Sequence, residues 1–150
     1  MRIIIQRVSH ASVSVDGTVR GAIERGLMLL VGFGHEDTPA VLQPMAEKVL
    51  HMRIFPNEQG RFHFSLQEIA GGILAIPQFT LYADTSKGRR PDFFSALSPE
   101  KASPLFDDFC EILARAVPTE RGVFGAHMKV LFENDGPVTI SLDSLDLPKV

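Results

Sequence analysis

The run Gly26-Leu27-Met28-Leu29-Leu30-Val31-Gly32-Phe33-Gly34 contains no polar side chain. A strand with one wet face alternates apolar and polar residues, and this segment does not. Leu27 to Gly34 is therefore expected as a central strand buried on both faces. Such a strand needs other strands beside it and cover above and below. A chain of 150 residues can supply both within one domain, residues 1–150. The apolar run is far shorter than the roughly 20 residues that span a bilayer, so no membrane segment is expected.

The segments before it read as strands. In residues 2–8, Ile3, Ile5 and Arg7 share one face, and Ile4, Gln6 and Val8 share the other. Val13 and Val15 alternate with Ser12 and Ser14, then Asp16-Gly17 leads into a second alternating run from Val19 to Ile23, which is a hairpin signal. After it, Asp37-Thr38-Pro39 opens a helical pattern that runs to about Met52, with Pro44 moving the first true turn toward Gln43. Arg53 to Phe55 is a short strand candidate, and Pro56-Asn57-Glu58-Gln59-Gly60 is turn chemistry. Gly72 to Tyr82 is apolar but broken by Pro77.

Ser98-Pro99 and Ser103-Pro104 both resemble helix entrances. Phe106, Phe109, Cys110, Leu113 and Val117 then fall on one helical face. Phe124 to Phe132 and Val138 to Leu142 alternate around Asn134-Asp135-Gly136-Pro137, which reads as a second hairpin. The whole predicts an α+β (mixed α/β) domain: a curved sheet or partial barrel of about seven strands with two main helices.

Composition narrows the function classes. The single cysteine, Cys110, excludes an intrachain disulfide and sits on a core stripe, so a reduced, cytoplasmic protein is expected. A net charge of −3 argues against a protein that coats nucleic acid by bulk attraction. It leaves room for local contact with an RNA end. Lys87, Arg89 and Arg90 form a basic cluster that reads either as a solvated loop or as a source of phosphate contacts. The histidines at 10, 35, 51, 63 and 127 lack metal-ligand spacing, and no phosphate loop, dinucleotide fingerprint or nucleophile elbow is present. No metal and no cofactor are expected.

Two segments stand out. Ile76-Pro77-Gln78-Phe79-Thr80-Leu81 ends a buried run yet carries a proline, an amide and a hydroxyl. Proline cannot donate to a ladder, so the strand there is an edge or is breaking up. Asn134-Asp135-Gly136-Pro137-Val138-Thr139 is the second.

Together, Pro77-Gln78-Phe79-Thr80-Leu81 and Asn134-Asp135-Gly136-Pro137-Val138-Thr139 resemble the two signature motifs of the D-aminoacyl-tRNA deacylase family. The similarity extends to Gln6-Arg7-Val8, to Tyr82 through Pro91, and to Phe124-Gly125-Ala126-His127-Met128-Lys129-Val130. The family's first motif usually begins with serine, and Pro77 stands there in this chain. A related branch carries Pro-Gln followed by alanine, whereas Phe79 and Gly136-Pro137-Val138-Thr139 match the main family.

The resemblance implies an enzyme that hydrolyses the ester of D-aminoacyl-tRNA at the 3′-terminal adenosine, with glycyl-tRNA as a further candidate substrate, releasing free tRNA and the amino acid. It implies a homodimer in which the motifs meet across the interface. It also implies a cis Gly136–Pro137 bond whose carbonyls enter the partner's site, with Arg7 fixing their orientation. Gln78, Phe79 and Thr80 are the expected catalytic residues. Gly136, Pro137, Arg7, Pro77 and Met128 are expected to bind substrate.

Backbone N–H groups around Phe79 and Thr80 are the candidate oxyanion donors. The 2′-hydroxyl of the terminal ribose is expected to assist the attacking water. Thr80 as a covalent nucleophile is the competing version, and no adjacent base is evident for it. L-Amino acids would be rejected by clash with the Gly136 and Pro137 carbonyls. Two other readings stand beside this one: a tRNA-end binding module without hydrolysis, which Pro77 favours, and a hydrolase for another small ester or amide. Neither DNA nor membrane is an expected partner.

Overall fold

In the computed structural model, which describes residues 1–148, the apolar run is the interior strand its composition requires. This strand, β3 (Gly26–Gly32), pairs antiparallel with β1 (Arg2–Val15) on one side and parallel with β6 (Gly72–Pro77) on the other. β2 (Thr18–Ile23) forms the expected hairpin with β1, and the turn places both Asp16 and Gly17 at positive φ. Beyond β6 lies β7 (Thr119–Arg121), a short parallel strand that the sequence pattern did not reveal.

The other edge of β1 carries β8 (Lys129–Asp143) along almost its whole length. The main sheet therefore has six strands. A separate ribbon joins β4 (Phe55–Pro56) to β5 (Phe62–Phe64), so the expected strand at Arg53 begins only at Phe55 and takes in Pro56.

The sheet curls over itself. Gly21 of β2 lies so close to β6 and β7 that an added Cβ would sit 3.3 Å from Leu74 Cδ1 and 3.2 Å from Glu120 Cβ. This curvature divides the apolar residues into two cores. Ile3, Ile5, Leu27, Leu29, Ile73 and Ala75 face the helices, while Val8, Ala11, Val13, Met28, Leu74 and Ile76 fill the inside of the curl. β1 serves both, since the register slips between Val8 and His10 and a slip of one residue turns every later side chain to the opposite face.

Two helices cover the outer face. A 3-10 turn at Pro39–Val41 leads into α1 (Leu42–His51), where Pro44 occupies the first turn and its missing N–H costs nothing. α2 (Pro99–Ala114) starts at the first of the two predicted entrances and continues through Pro104. The second entrance is not used because Ala102, Leu105, Phe106 and Phe109 keep one buried stripe running past the proline. Cys110 is wholly buried in that stripe, and burial pushes its thiol up to about 12, far from a nucleophile's range.

The predicted second hairpin is not formed. Residues 129–134 and 139–143 pair with the same strand in the same direction, Ser14 with Lys129 and Arg2 with Asp143. Asp135 to Val138 form a bulge in one continuous strand, and the Gly136–Pro137 bond within it is cis, as expected. Turn-forming residues serve a bulge as well as a reversal, which is why the pattern misled. Likewise Phe124 to Met128 is a loop rather than the start of the strand.

Phe109 has no exposed surface and anchors α2 in the outer core. Phe109→Ala is expected to lower unfolding stability by about 3–5 kcal/mol, read from urea denaturation. A loss below about 1 kcal/mol would show that α2 packs elsewhere.

Candidate active site

β3 and β6 run parallel and end at the same edge of the sheet. There a cavity of about 620 Å³ opens, lined mainly by apolar groups. Val31 and Phe33 come from the end of β3, Ile76 and Pro77 from the end of β6, and Gln78 and Phe79 from the turn that follows. Pro77 is the last residue of β6. It faces Val31 of β3, but β7 pairs only as far as Ala75, so the missing proline donor interrupts no ladder on that side. The expectation of an edge, or of a strand breaking up, at Pro77 is met.

Beyond Pro77 the chain tightens into a 3-10 turn, Phe79–Tyr82, whose start has no side-chain cap. The Gln78 amide N–H donates to the Val31 carbonyl at 2.7 Å, which fixes where the turn begins. The Gln78 side-chain amide donates to the Thr80 hydroxyl. Thr80 is exposed and lies outside the cavity lining, while Gln78 and Phe79 form part of the wall. Phe79 meets Phe93 edge to face, with ring centroids 5.0 Å apart, so the two rings form one rim. Met128 closes the opposite side. Its sulfur would lie 2.7 Å from a Cβ placed on Gly122, so a glycine is needed to admit it.

The turn is held from behind. Arg2 Nη1 donates to the Leu81 carbonyl at 3.0 Å, and its guanidinium lies 4.5 Å from the centre of the Tyr82 ring. The Tyr82 hydroxyl donates to Asp37 at 3.3 Å, and the same carboxylate accepts the Gly34 amide at 2.7 Å and pairs with the Met1 amino group. Burial, and then the charge of Asp37, raise the Tyr82 pKa above its ordinary value, so the hydroxyl remains a donor at any ordinary pH.

The second motif lies elsewhere on the chain. Gly136 and Pro137 are exposed and do not line the cavity. Arg7 is buried beneath them. It donates from Nε to the Asp135 carbonyl at 2.8 Å and from Nη1 to the Ile54 carbonyl at 2.7 Å. Asn134 ties the bulge across its base, accepting from the Val138 amide at 2.7 Å and donating to Gln6 Oε1 at 2.6 Å. Of the sequence-predicted residues, Pro77, Gln78, Phe79 and Met128 meet at the cavity, Thr80 sits just outside it, and Arg7, Gly136 and Pro137 form a separate projecting corner.

Sequence reasoning missed Phe93 and the Ala96–Pro99 wall, of which only Ser98-Pro99 is read from the sequence, as a helix entrance. An aromatic pair, Phe93-Phe94, directly after a basic loop was the available signal.

A family model described as D-Tyr-tRNA(Tyr) deacylase matches residues 4–143. A D-aminoacyl-tRNA deacylase from Thermomicrobium roseum is 54% identical over 148 residues, covering 98% of this chain and 96% of the relative. Among solved structures, the c-Myc DNA Unwinding Element Binding Protein superposes with a TM-score of 0.89 at 39% identity, covering 95% of this chain and 98% of the other. A second, described as a probable eukaryotic D-amino acid tRNA deacylase, gives a TM-score of 0.83 at 21% identity with 94% and 97% coverage, and shares the fold. The fold and the family match are those of a small hydrolase acting on an aminoacyl-tRNA ester. The chain belongs to the D-aminoacyl-tRNA deacylase family.

Gly34 underlies the turn, since an added Cβ would lie 2.4 Å from the Tyr82 ring, which Arg2 and Asp37 hold in place. Gly34→Ala is expected to destabilise the fold by about 1–3 kcal/mol and to displace the 79–82 turn. Thermal unfolding and deacylation rate together check this, and an alanine variant matching the parent in both would show that the turn tolerates a shift.

Proposed function

We propose that the protein clears D-amino acids from tRNA by seating the 3′-terminal adenosine in the cavity beside Gln78 and Phe79. A second copy of the chain inserts its Gly136–Pro137 corner to complete the site. The observation that carries this reading is the separation of the two motifs: one walls an apolar cavity, and the other is exposed, outside that lining, and braced by Arg7. The dimer reading is supported by β8. It is an edge strand of 15 residues paired on one side only, with Leu131 and Phe132 exposed.

An aminoacyl ester is already an activated acyl group, so placement supplies much of the catalysis. The Phe79 and Phe93 rings offer faces for the adenine base. The amide N–H groups of Phe79 and Thr80, at the uncapped start of the 3-10 turn, are the donors for the developing oxyanion. One such donor contributes about 3–4 kcal/mol. Water attacks the carbonyl carbon, assisted by the 2′-hydroxyl of the terminal ribose. The bond to the 3′-oxygen breaks, and that oxygen takes the proton, giving free tRNA and the amino acid. Glycyl-tRNA fits the same scheme, having no side chain to exclude.

The corner reads chirality by exclusion. The carbonyls of Gly136 and Pro137 stand where an L side chain would point, and a D side chain points away from them. Proline in place of the family serine at position 77 means that no hydroxyl there takes part.

Released amino acid is counted after incubation with D-tyrosyl-tRNA and with L-tyrosyl-tRNA. Hydrolysis of the D adduct alone is expected, and equal hydrolysis of both would overturn the exclusion mechanism. Gly136→Ala should lose about 100-fold in kcat/KM or begin to cut the L adduct. Its methyl would meet the Val138 amide nitrogen at 2.7 Å, at a φ of +153° that disfavours alanine.

Thr80→Ala should keep single-turnover hydrolysis within about tenfold, while a 2′-deoxy terminal ribose should slow it by about 10²–10³. Abolition by Thr80→Ala together with full activity on the deoxy substrate would instead support covalent catalysis.

A further inference from the structure

We propose that the excursion spanning residues 85–91 is a phosphate-binding arm, in which Lys87, Arg89 and Arg90 grip the backbone of the single-stranded nucleotides preceding the terminal adenosine. The inference rests on the reading of the cavity as the seat of the tRNA 3′ end.

Position supports it first. The excursion joins the end of the 79–82 turn to Phe93, so both its ends run into elements that build the cavity rim. Pro91 is two residues from Phe93, at most about 7 Å of chain, which is about the reach of an extended arginine side chain.

The loop is also shaped rather than slack. Asp84 and Asp92 exchange backbone hydrogen bonds of 2.9 and 3.0 Å, pinching its neck. Gly88 turns it at a φ of +69°. The two neck carboxylates are engaged by local amides, Asp84 by Ser86 at 2.8 Å and Asp92 by Phe94 at 3.3 Å.

Charge supplies the third argument. Residues 84–91 are all exposed, and among the described residues no ion pair involves Lys87, Arg89 or Arg90. The chain has 15 basic and 18 acidic residues, so without these three the remainder stands at 12 against 18, a net −6. Such a body repels a polyanion. A substrate carrying phosphates on this side of the cavity needs a local cationic contact, and two guanidiniums with one ammonium provide it.

Lys87→Ala/Arg89→Ala/Arg90→Ala is compared with the parent on D-tyrosyl-tRNA and on 3′-O-D-tyrosyl-adenosine, which has the ester and base but no preceding phosphates. The expected result is a roughly 10- to 100-fold fall in the ratio of kcat/KM on tRNA to that on the adenosine ester. The loss should lie in KM, and the salt slope of log KM should shrink by about 2, as for three phosphate contacts to a single strand. A charge-keeping Arg89→Lys/Arg90→Lys variant should recover most of the ratio.

An unchanged ratio, whether both substrates suffer or neither does, overturns the proposal. So does inhibition by duplex DNA through this loop as strong as that by deacylated tRNA, which would mark a general polyanion site. Failure of the parent to cut either substrate would instead strike at the reading of the cavity itself.

Discussion

The ladder between β1 and β8 breaks between Gln6 and Val8, and the projecting corner owes its shape to that break. Gln6 pairs with Thr139 and Val8 with Asn134, so a step of two residues on β1 faces a step of five on β8. The surplus must leave the sheet. What keeps it from collapsing is a pair of adjacent β1 side chains that point to opposite faces. Gln6 Oε1 accepts from both Asn134 and Thr139 at 2.6 Å, closing the base of the bulge. Arg7, on the other face, holds the Asp135 carbonyl from beneath.

A buried guanidinium is expensive unless its donors are used. Arg7 uses two of them on carbonyls from distant parts of the chain, Ile54 and Asp135, and its nearest carboxylate, Asp135, is 4.0 Å away and largely exposed. The ion pair is thus the weaker part of the arrangement, and the two short carbonyl bonds are the stronger part. Phe62 of the β4–β5 ribbon lies 5.8 Å from the guanidinium, so the ribbon shelters this cation from solvent. A small appended ribbon thereby becomes part of the support for the second motif.

Elements whose burial is symmetric about the backbone were legible in the sequence. β3 is apolar throughout because helices lie on one face and the inside of the curl on the other, and α1 and α2 show stripes because each has a single buried side. The misread elements share a cause: their local chemistry fits two structures, and a distant partner decides between them. Asn134 to Pro137 suit a reversal or a bulge, and only the length of β1 selects the bulge. Pro104 suits a helix start, yet it lies inside α2, where the buried stripe on either side of it carries the helix past the missing N–H. β7 is three residues long and takes its identity from β6. The two motifs stood out in the sequence, whereas the cavity did not, because Phe93 and the segment after it gain meaning only when folded against Phe79.

β1 also fixes the distance between the motifs. Arg2 bonds to the Leu81 carbonyl behind the first motif, and Arg7 bonds to the Asp135 carbonyl beneath the second. Five residues of extended strand separate these anchors, about 17 Å, and the side chains leave the strand on opposite faces. A scissile ester and its α-carbon occupy only a few ångströms, so anchors held this far apart on one stiff strand do not serve the same ester from one chain. On the proposed reading, each copy uses its own β1 twice: once to hold its cavity turn and once to present its corner to the cavity of the other copy. On that proposal, the strand that keeps the motifs apart within a subunit is also what makes the corner available for exchange between subunits.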